Sequence, residues 1–358
     1  MPRSSTTPGV TGRGRSNLSY VGKRSGQALH VALAVALDVD ELNRLLNDGG
    51  VWPHGHISTL ESSRIGVDFG FSGAVRRIRV STESGTHTLV AKYENSQQIN
   101  ASVSFYRHAG HLLVGDIPIL YGQSDEVIVF EDVSPAIQGD DSQVSTRDQK
   151  GRLIELLARL HSATWLEMLG DAPKGLRQWS AQTWDEKRWR SRMNGAKQRY
   201  PKQMTPQLEH RLEMLHQEVP AAIEGLAGRP MAWTHRDVTF DNVLWRPDGS
   251  PVLLDWSNSA IGPPVTDLIP LLDVEIPGEP GWAISTYTTA LVENGVTISE
   301  KAIEEWLRFD IRLFVRGIVG FAGLPGEPEQ IRLADWRDRI LDVSGSALAW
   351  VDGEQNLG

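Results

Sequence analysis

Residues 234–242 read Thr-His-Arg-Asp-Val-Thr-Phe-Asp-Asn, and residues 253–256 read Leu-Leu-Asp-Trp. An apolar run that ends in His235-Arg-Asp237 puts Asp237 at the tip of a loop. Asn242–Trp245 and Val252–Leu254 flank Pro247-Asp-Gly249, which is the pattern of a β-hairpin. Asn242 opens one strand of that hairpin, and Asp255 ends the other. Two carboxylates and an amide then face one space, a set of oxygen donors suited to a hard cation. The plainer alternative, a strand-to-turn corner and a helix cap, needs several coincidences at fixed spacing.

These residue types meet the two needs of phosphoryl transfer. One group must orient a hydroxyl and take its proton, and others must hold Mg²⁺ against phosphates. The segment resembles the aminoglycoside phosphotransferase and choline kinase superfamily, small-molecule kinases with the protein-kinase fold. The likeness is carried by His235, Asp237 and Asn242, then Asp255-Trp256, then Gly262, Pro264, Asp267 and Leu268, with Leu160-His161 and Trp165 upstream. It runs over roughly residues 38 to 320. The resemblance implies Asp237 as catalytic base, Asn242 and Asp255 as Mg²⁺ ligands, and His235 and Asp267 as braces of the loop. It also implies ATP or GTP as phosphoryl donor.

Upstream, strands are expected between Ile65 and Ala91 and over Thr88–Tyr93, with a turn at Glu83-Ser-Gly85. Gly66, Gly70 and Gly73 lie in a glycine-rich connection that suits backbone approach to phosphates. Lys92, in Leu89-Val-Ala-Lys92, matches the lysine that contacts the α- and β-phosphates. Glu131 and Val133, after the short strand Val127–Phe130, match the hinge that holds the nucleotide base. One departure stands out. Kinases pair this lysine with a glutamate on the next helix, here read over Gln97–Leu113, but Ser102 occupies that place and no acid lies between Glu94 and Asp116. Glu94, Gln97, Gln98 and Asn100 are the candidate replacements.

Downstream the periodicity becomes helical, at Leu153, Leu156, Leu157 and Leu160, after the Thr205-Pro206 start signal, and over Ile303–Ile318. The fold class expected is α+β and bilobal, with a strand-rich N-lobe and a mainly helical C-lobe. Residues 1–26 read as a disordered tail, 27–131 as the N-lobe, 132–345 as the C-lobe, and 346–358 as a second tail. The apolar run Ala28–Leu37, behind Lys23 and Arg24, imitates a signal segment. It continues into a helical pattern at Leu42, Leu45 and Leu46, so a first helix of the folded domain is expected instead.

Composition bounds the function. The 358 residues include no cysteine, which removes disulfides and Cys-based chemistry. No apolar run reaches the roughly 18 residues of a membrane span, and a cytoplasmic enzyme without membrane partner is expected. The net charge of −9 argues against a nucleic-acid partner, although Arg and Lys interleave with Trp179, Trp184 and Trp189 over residues 174–202. Eleven residues between Asp255 and Asp267 are too few for a peptide-docking activation segment, so the acceptor is expected to be a small molecule. Asp273, Glu275, Glu304, Glu305 and Asp310 are candidates to receive a cationic one, such as an aminoglycoside antibiotic. A metabolite such as an amino alcohol or a sugar is the alternative, and a catalytically silent nucleotide binder is a further one. Oligomeric state is left open.

Overall fold

A computed structural model describes residues 37–65, 74–138, 146–179, 185–226, 228–239, 242–272, 278–323, 341 and 344–353. The first element is helix α1 (Val39–Gly49), capped by the Asp38 carboxylate, which accepts the Glu41 N–H. Strands β1 (Ile57–Ile65), β2 (Ala74–Thr82), β3 (Gly85–Tyr93), β4 (Leu120–Gln123) and β5 (Val127–Glu131) follow in an antiparallel sheet of order β1-β2-β3-β5-β4. Helix α2 (Ser96–His108) sits between β3 and β4 in the chain.

Alternation along β3 sorts the two faces. Leu89, Ala91 and Tyr93 are buried in one apolar cluster with Leu42, Leu45 and Leu46 of α1. Val90 and Lys92 point to the opposite face. Helix α1 crosses β4 at backbone contact: a Cβ on Gly49 would stand 1.8 Å from the Tyr121 carbonyl oxygen, and one on Gly122 would stand 2.5 Å from that of Leu45. Below the sheet, Ile99 and Val103 of α2 pack on Ile128 of β5.

The expected strands are present, but β1 ends at Ile65 instead of starting there. Its sequence, Ile-Ser-Thr-Leu-Glu-Ser-Ser-Arg-Ile, lacks an apolar face because it is an edge strand, mostly exposed. The helix read over Gln97–Leu113 stops at His108 and is followed by a 3₁₀ turn, Gly110–Leu113.

The second lobe is built on α3 (Arg147–Ala163), α4 (Glu186–Arg199), α5 (Pro206–Gly225), α6 (Glu279–Glu293) and α7 (Glu300–Ala322). Thr146 and Gln149 form a capping box on α3, and Thr205 caps α5 with Pro206 in its first turn. Short strands β6 (Ile137–Gln138), β8 (Val243–Trp245) and β9 (Pro251–Leu253) form one sheet; β7 (Ala232–Thr234) pairs with β10 (Ala260–Gly262). Trp189, Trp233, Trp256 and Tyr287 fill the core of this lobe. Trp189 is fully buried against His216 and Arg316, so the basic residues of α4 flank a core anchor. Among the described residues no helix is long and apolar enough to cross a membrane.

The C-terminal tail expected from residue 346 is in part a helix. Residues 344–351 are helical, Leu348 and Val351 are buried in the core of the second lobe, and Arg308 Nη1 donates to the Val351 carbonyl at 2.9 Å. Its apolar stretch is too short for periodicity to reveal it.

Candidate active site

Strand β7 is buried throughout and delivers its C-terminal end to the loop 235–239. Within the loop Arg236 has φ 67, the left-handed region that costs a non-glycine residue about 1 kcal/mol or more. Asp267, at the end of a 3₁₀ turn, holds this conformation. Its carboxylate accepts the His235 N–H at 2.7 Å on Oδ2 and the Arg236 N–H at 2.7 Å on Oδ1. Asp267 is itself buried, 3.2 Å from His161 Nε2, and His161 Nδ1 meets the Tyr287 hydroxyl at 2.7 Å. Buried polar groups are satisfied in a chain from α3 and α6 to the loop.

His235 is locked by both ring nitrogens. Nε2 lies 2.6 Å from the Leu254 carbonyl, so it must carry the proton, and Nδ1 accepts the Asp237 N–H at 3.2 Å. Asn242 donates its Nδ2 to the Asp237 carbonyl at 2.9 Å, while its own carbonyl accepts the Leu254 N–H at 2.8 Å. Its side-chain oxygen is left as an acceptor. The adjoining residue, Asp255, has φ 59 and accepts the Ser257 hydroxyl at 2.6 Å on Oδ1. Asn258, which the motif did not single out, donates Nδ2 to Asp237 Oδ2 at 3.3 Å. It sits three residues after Asp255, on the 3₁₀ turn Trp256–Asn258.

Lys92 reaches the same space from the sheet. Its Nζ is 2.6 Å from Asp255 Oδ1 and 2.8 Å from Glu94 Oε1. Glu94, two residues on along the same face, thus supplies the carboxylate missing from α2. Ser102 is buried at 3% exposure. In its neighbourhood α2 is joined to the catalytic segment by packing: Phe105 stacks on Trp256 at 3.4 Å between ring centroids.

Electrostatics divide the two aspartates. Burial would raise Asp255, but the Lys92 charge and the hydrogen bonds of Lys92 and Ser257 hold it down at about 2. Burial raises Asp237; His235 opposes the shift and the Asp255 charge adds to it. Burial tends to lower Lys92, but Asp255 and Glu94 outweigh that and raise it. The two neighbouring carboxylates are thus pushed in opposite directions, Asp255 toward the ionised form and Asp237 toward the protonated one.

The other expected positions divide as follows. The side chain of Glu131 shares its face with Leu89, its cross-strand partner, and accepts the Ile119 N–H at 3.1 Å. The Glu131 side chain is therefore on the face away from Lys92, whereas Val90, Ile128 and Phe130 share the face of Lys92 and form an apolar wall. The Val133 carbonyl accepts from Ala136 N–H at 3.1 Å. Gly66, Gly70 and Gly73 lie outside the described residues; the strands they connect pair Ile65 with Val75. Asp273 and Glu275 also lie outside them. Glu304 is held by Arg308 at 2.7 Å, Glu305 lies 3.9 Å from Lys301, and Asp310 is buried 3.2 Å from Arg229. Burial, opposed by Arg229, pushes Asp310 up to about 7. Among the described residues no hydrogen bond or ion pair joins these three acids to Asp237, Asn242 or Asp255.

Residues 72–291 match the model of the phosphotransferase enzyme family, APH. The chain belongs to this family. It is a phosphotransferase that acts on a hydroxyl group. Solved structures with the same fold include a microcompartment-associated aminopropanol kinase, 14% identical over 88% of this chain and 97% of that one with a TM-score of 0.53. Choline kinase from Cryptosporidium parvum Iowa II is 12% identical over 82% of this chain and 90% of its own, with a TM-score of 0.53. A putative aminoglycoside phosphotransferase from Ralstonia eutropha JMP134 is 15% identical over 88% and 98%, with a TM-score of 0.52. No curated protein sequence matches the chain.

The donor set of this phosphotransferase fits a magnesium nucleotide. Lys92 Nζ is buried between Asp255 Oδ1 and Glu94 Oε1, and an ammonium has three N–H donors, so one is left for an incoming anion. Asp255 and the Asn242 amide oxygen are hard oxygen donors. Magnesium is commonly held by one or two such protein groups, with phosphates and water completing its shell.

Proposed function

We propose that this phosphotransferase moves the γ-phosphoryl group of ATP to a hydroxyl of a small molecule. The observation that carries this reading is the convergence of Asp237, Asn242, Asp255 and Lys92 from three separated segments onto one space. Magnesium ATP, when bound, supplies the phosphoryl group and the cation that offsets its charge. Asp255 and Asn242 would hold the cation through their oxygens, Lys92 would bind phosphate oxygens, and Val90, Ile128 and Phe130 would bed the base.

Asp237 does the acid–base work. Asn258 occupies Oδ2, which leaves Oδ1 to accept a hydrogen bond from the acceptor hydroxyl. As the hydroxyl oxygen bonds to phosphorus, its proton passes to Asp237, and the bond from phosphorus to the β-phosphate oxygen breaks to release ADP. The raised affinity of Asp237 for a proton suits that role. Braced by Asp267, the loop holds the carboxylate in place before substrate arrives, so little orientation is left to achieve at the reacting moment.

An aminoglycoside acceptor was expected to meet acids at 304, 305 and 310. Glu304 and Glu305 each lie beside a base of the same helix and Asp310 is buried against Arg229, while Asp273 and Glu275 lie outside the described residues, so the acceptor is left to experiment. The test is ADP release with Mg·ATP across amino alcohols, sugars, hydroxy acids and antibiotics, with Asp237→Asn as control. Acceptor-dependent release that disappears in the variant is the expected result; equal release in the variant sinks the assignment of Asp237.

A further inference from the structure

Arg236 stands between His235 and Asp237. Its N–H is committed to Asp267, but among the described residues its guanidinium has no hydrogen bond and no ion pair. The side chain is partly exposed. Arg177 is close enough to repel it, with Asp237 and Asp267 the nearby opposite charges. Burial and then the Arg177 charge push Arg236 down to about 10.

Arg177 is held in place on its own account. Its Nη1 donates to the Ser257 carbonyl at 3.0 Å, and the next residue, Asn258, is the one bonded to Asp237. The backbone around it is fastened along β10: Ile261 N–H donates to the Arg177 carbonyl at 2.9 Å, and Trp179 N–H to the Ile261 carbonyl at 2.7 Å. A Cβ on Gly262 would come within 2.8 Å of Trp179, so the segment lies directly against the strand.

Two like charges kept together beside a catalytic carboxylate disfavour the folded state. So does an arginine at φ 67, where glycine would be relaxed. The like-charge cost is offset when an oxyanion arrives, because a guanidinium presents paired donors that match carboxylate and phosphate oxygens. We propose that Arg236, flanked by Arg177, forms an oxyanion subsite next to Asp237, and that the acceptor is a hydroxyl compound that also carries a carboxylate or phosphate group. The proposal rests on the phosphotransferase reading of Asp237 above and assigns its acceptor class.

The experiment measures ADP release and calorimetric binding with two anionic arms, glycerate and gluconate in one, glycerol 3-phosphate and glucose 6-phosphate in the other. Glycerol, glucose and ethanolamine are the neutral and cationic controls. At least one anionic member is expected to be the preferred acceptor, and the arm in which it falls tells carboxylate from phosphate. Arg236→Gly suits the observed φ, and its melting temperature reports whether the fold is kept. In that variant the acceptor KM rises on the order of 10- to 100-fold, the effect of losing a charge-assisted pair, with kcat changed less. Arg236→Lys, which keeps the charge, recovers part of the loss. An unchanged KM in Arg236→Gly overturns the proposal. So does a preference for a neutral or cationic acceptor, or silence of both anionic arms in a protein that still binds Mg·ATP. Failure to bind Mg·ATP instead removes the phosphotransferase reading and takes the proposal with it.

Discussion

Lys92, near the end of β3, and Glu94, one residue past it, meet side chain to side chain at 2.8 Å. Lys92 is thus paired with a residue at the end of its own strand, not with the helix that follows. Glu94→Gln leaves Lys92 with Asp255 alone. The expected outcome is Mg·ATP affinity weakened on the order of tenfold, since truncating one partner of a buried pair leaves the other charge poorly matched. Ser102→Glu, which restores an acid to the helix, gains nothing: that position is buried and the lysine is already served, so the variant loses stability by about 2 kcal/mol or more. Nucleotide titration and thermal unfolding check both. Tighter ATP binding by Ser102→Glu would show that the helix, not the strand, is the natural partner.

Asp237 must be ionised to take a proton, and burial raises its affinity for one. The acid limb of kcat/KM, which reports the free enzyme, therefore lies above the 3.8 of an unperturbed aspartate, with activity rising as pH rises through it. Asp237→Asn loses roughly 10²- to 10⁴-fold in kcat and keeps its nucleotide affinity. A pH–rate profile still flat at pH 4 contradicts the assignment.

Asp267 holds two backbone N–H groups at 2.7 Å each. In Asp267→Asn one of those oxygens becomes an NH₂ group facing an N–H, and a buried donor is left unmade. The cost is about 1–3 kcal/mol. Because the strained loop is what this carboxylate steadies, kcat falls as well, while Mg·ATP binding changes little. Calorimetric unfolding alongside turnover separates the two effects; loss of stability with unchanged kcat would limit Asp267 to a structural part.

Asp310 is raised to about 7 in the folded protein, against 3.8 when unfolded. The folded state then binds more protons than the unfolded one between those values. The stability that the group contributes is full below about pH 4 and is lost as pH rises toward 7. A shift of that size, in which the opposing pull of Arg229 is already included, has a ceiling of about 4 kcal/mol. Wild type should lose melting temperature relative to Asp310→Asn between pH 5 and 7.5. A difference that stays constant across that range removes the raised carboxyl.

The sequence alone determined the bilobal α+β class, the hairpin around Pro247–Gly249, and the candidates Asp237, Asn242, Asp255 and Lys92. Those features are short-range. Side-chain periodicity, turn chemistry and the spacing of a loop between two strands are properties of neighbouring residues, and they survive any packing that keeps the elements. What joins residues far apart in the chain was settled only by the tertiary structure. Several candidate partners for Lys92 had the right reach, and the fold selected Glu94 together with Asp255, 163 residues away in number. Asn258 entered the site because a 3₁₀ turn aims it back at Asp237. The acids of α7 were plausible by charge alone, yet helical spacing and burial gave Glu304, Glu305 and Asp310 to basic neighbours. The helix at 344–351 exists because the core of the second lobe buries Leu348 and Val351, a contact its own composition does not announce. Local sequence encodes which backbone forms are low in energy; which charges and apolar faces meet depends on the one packing that satisfies them all at once.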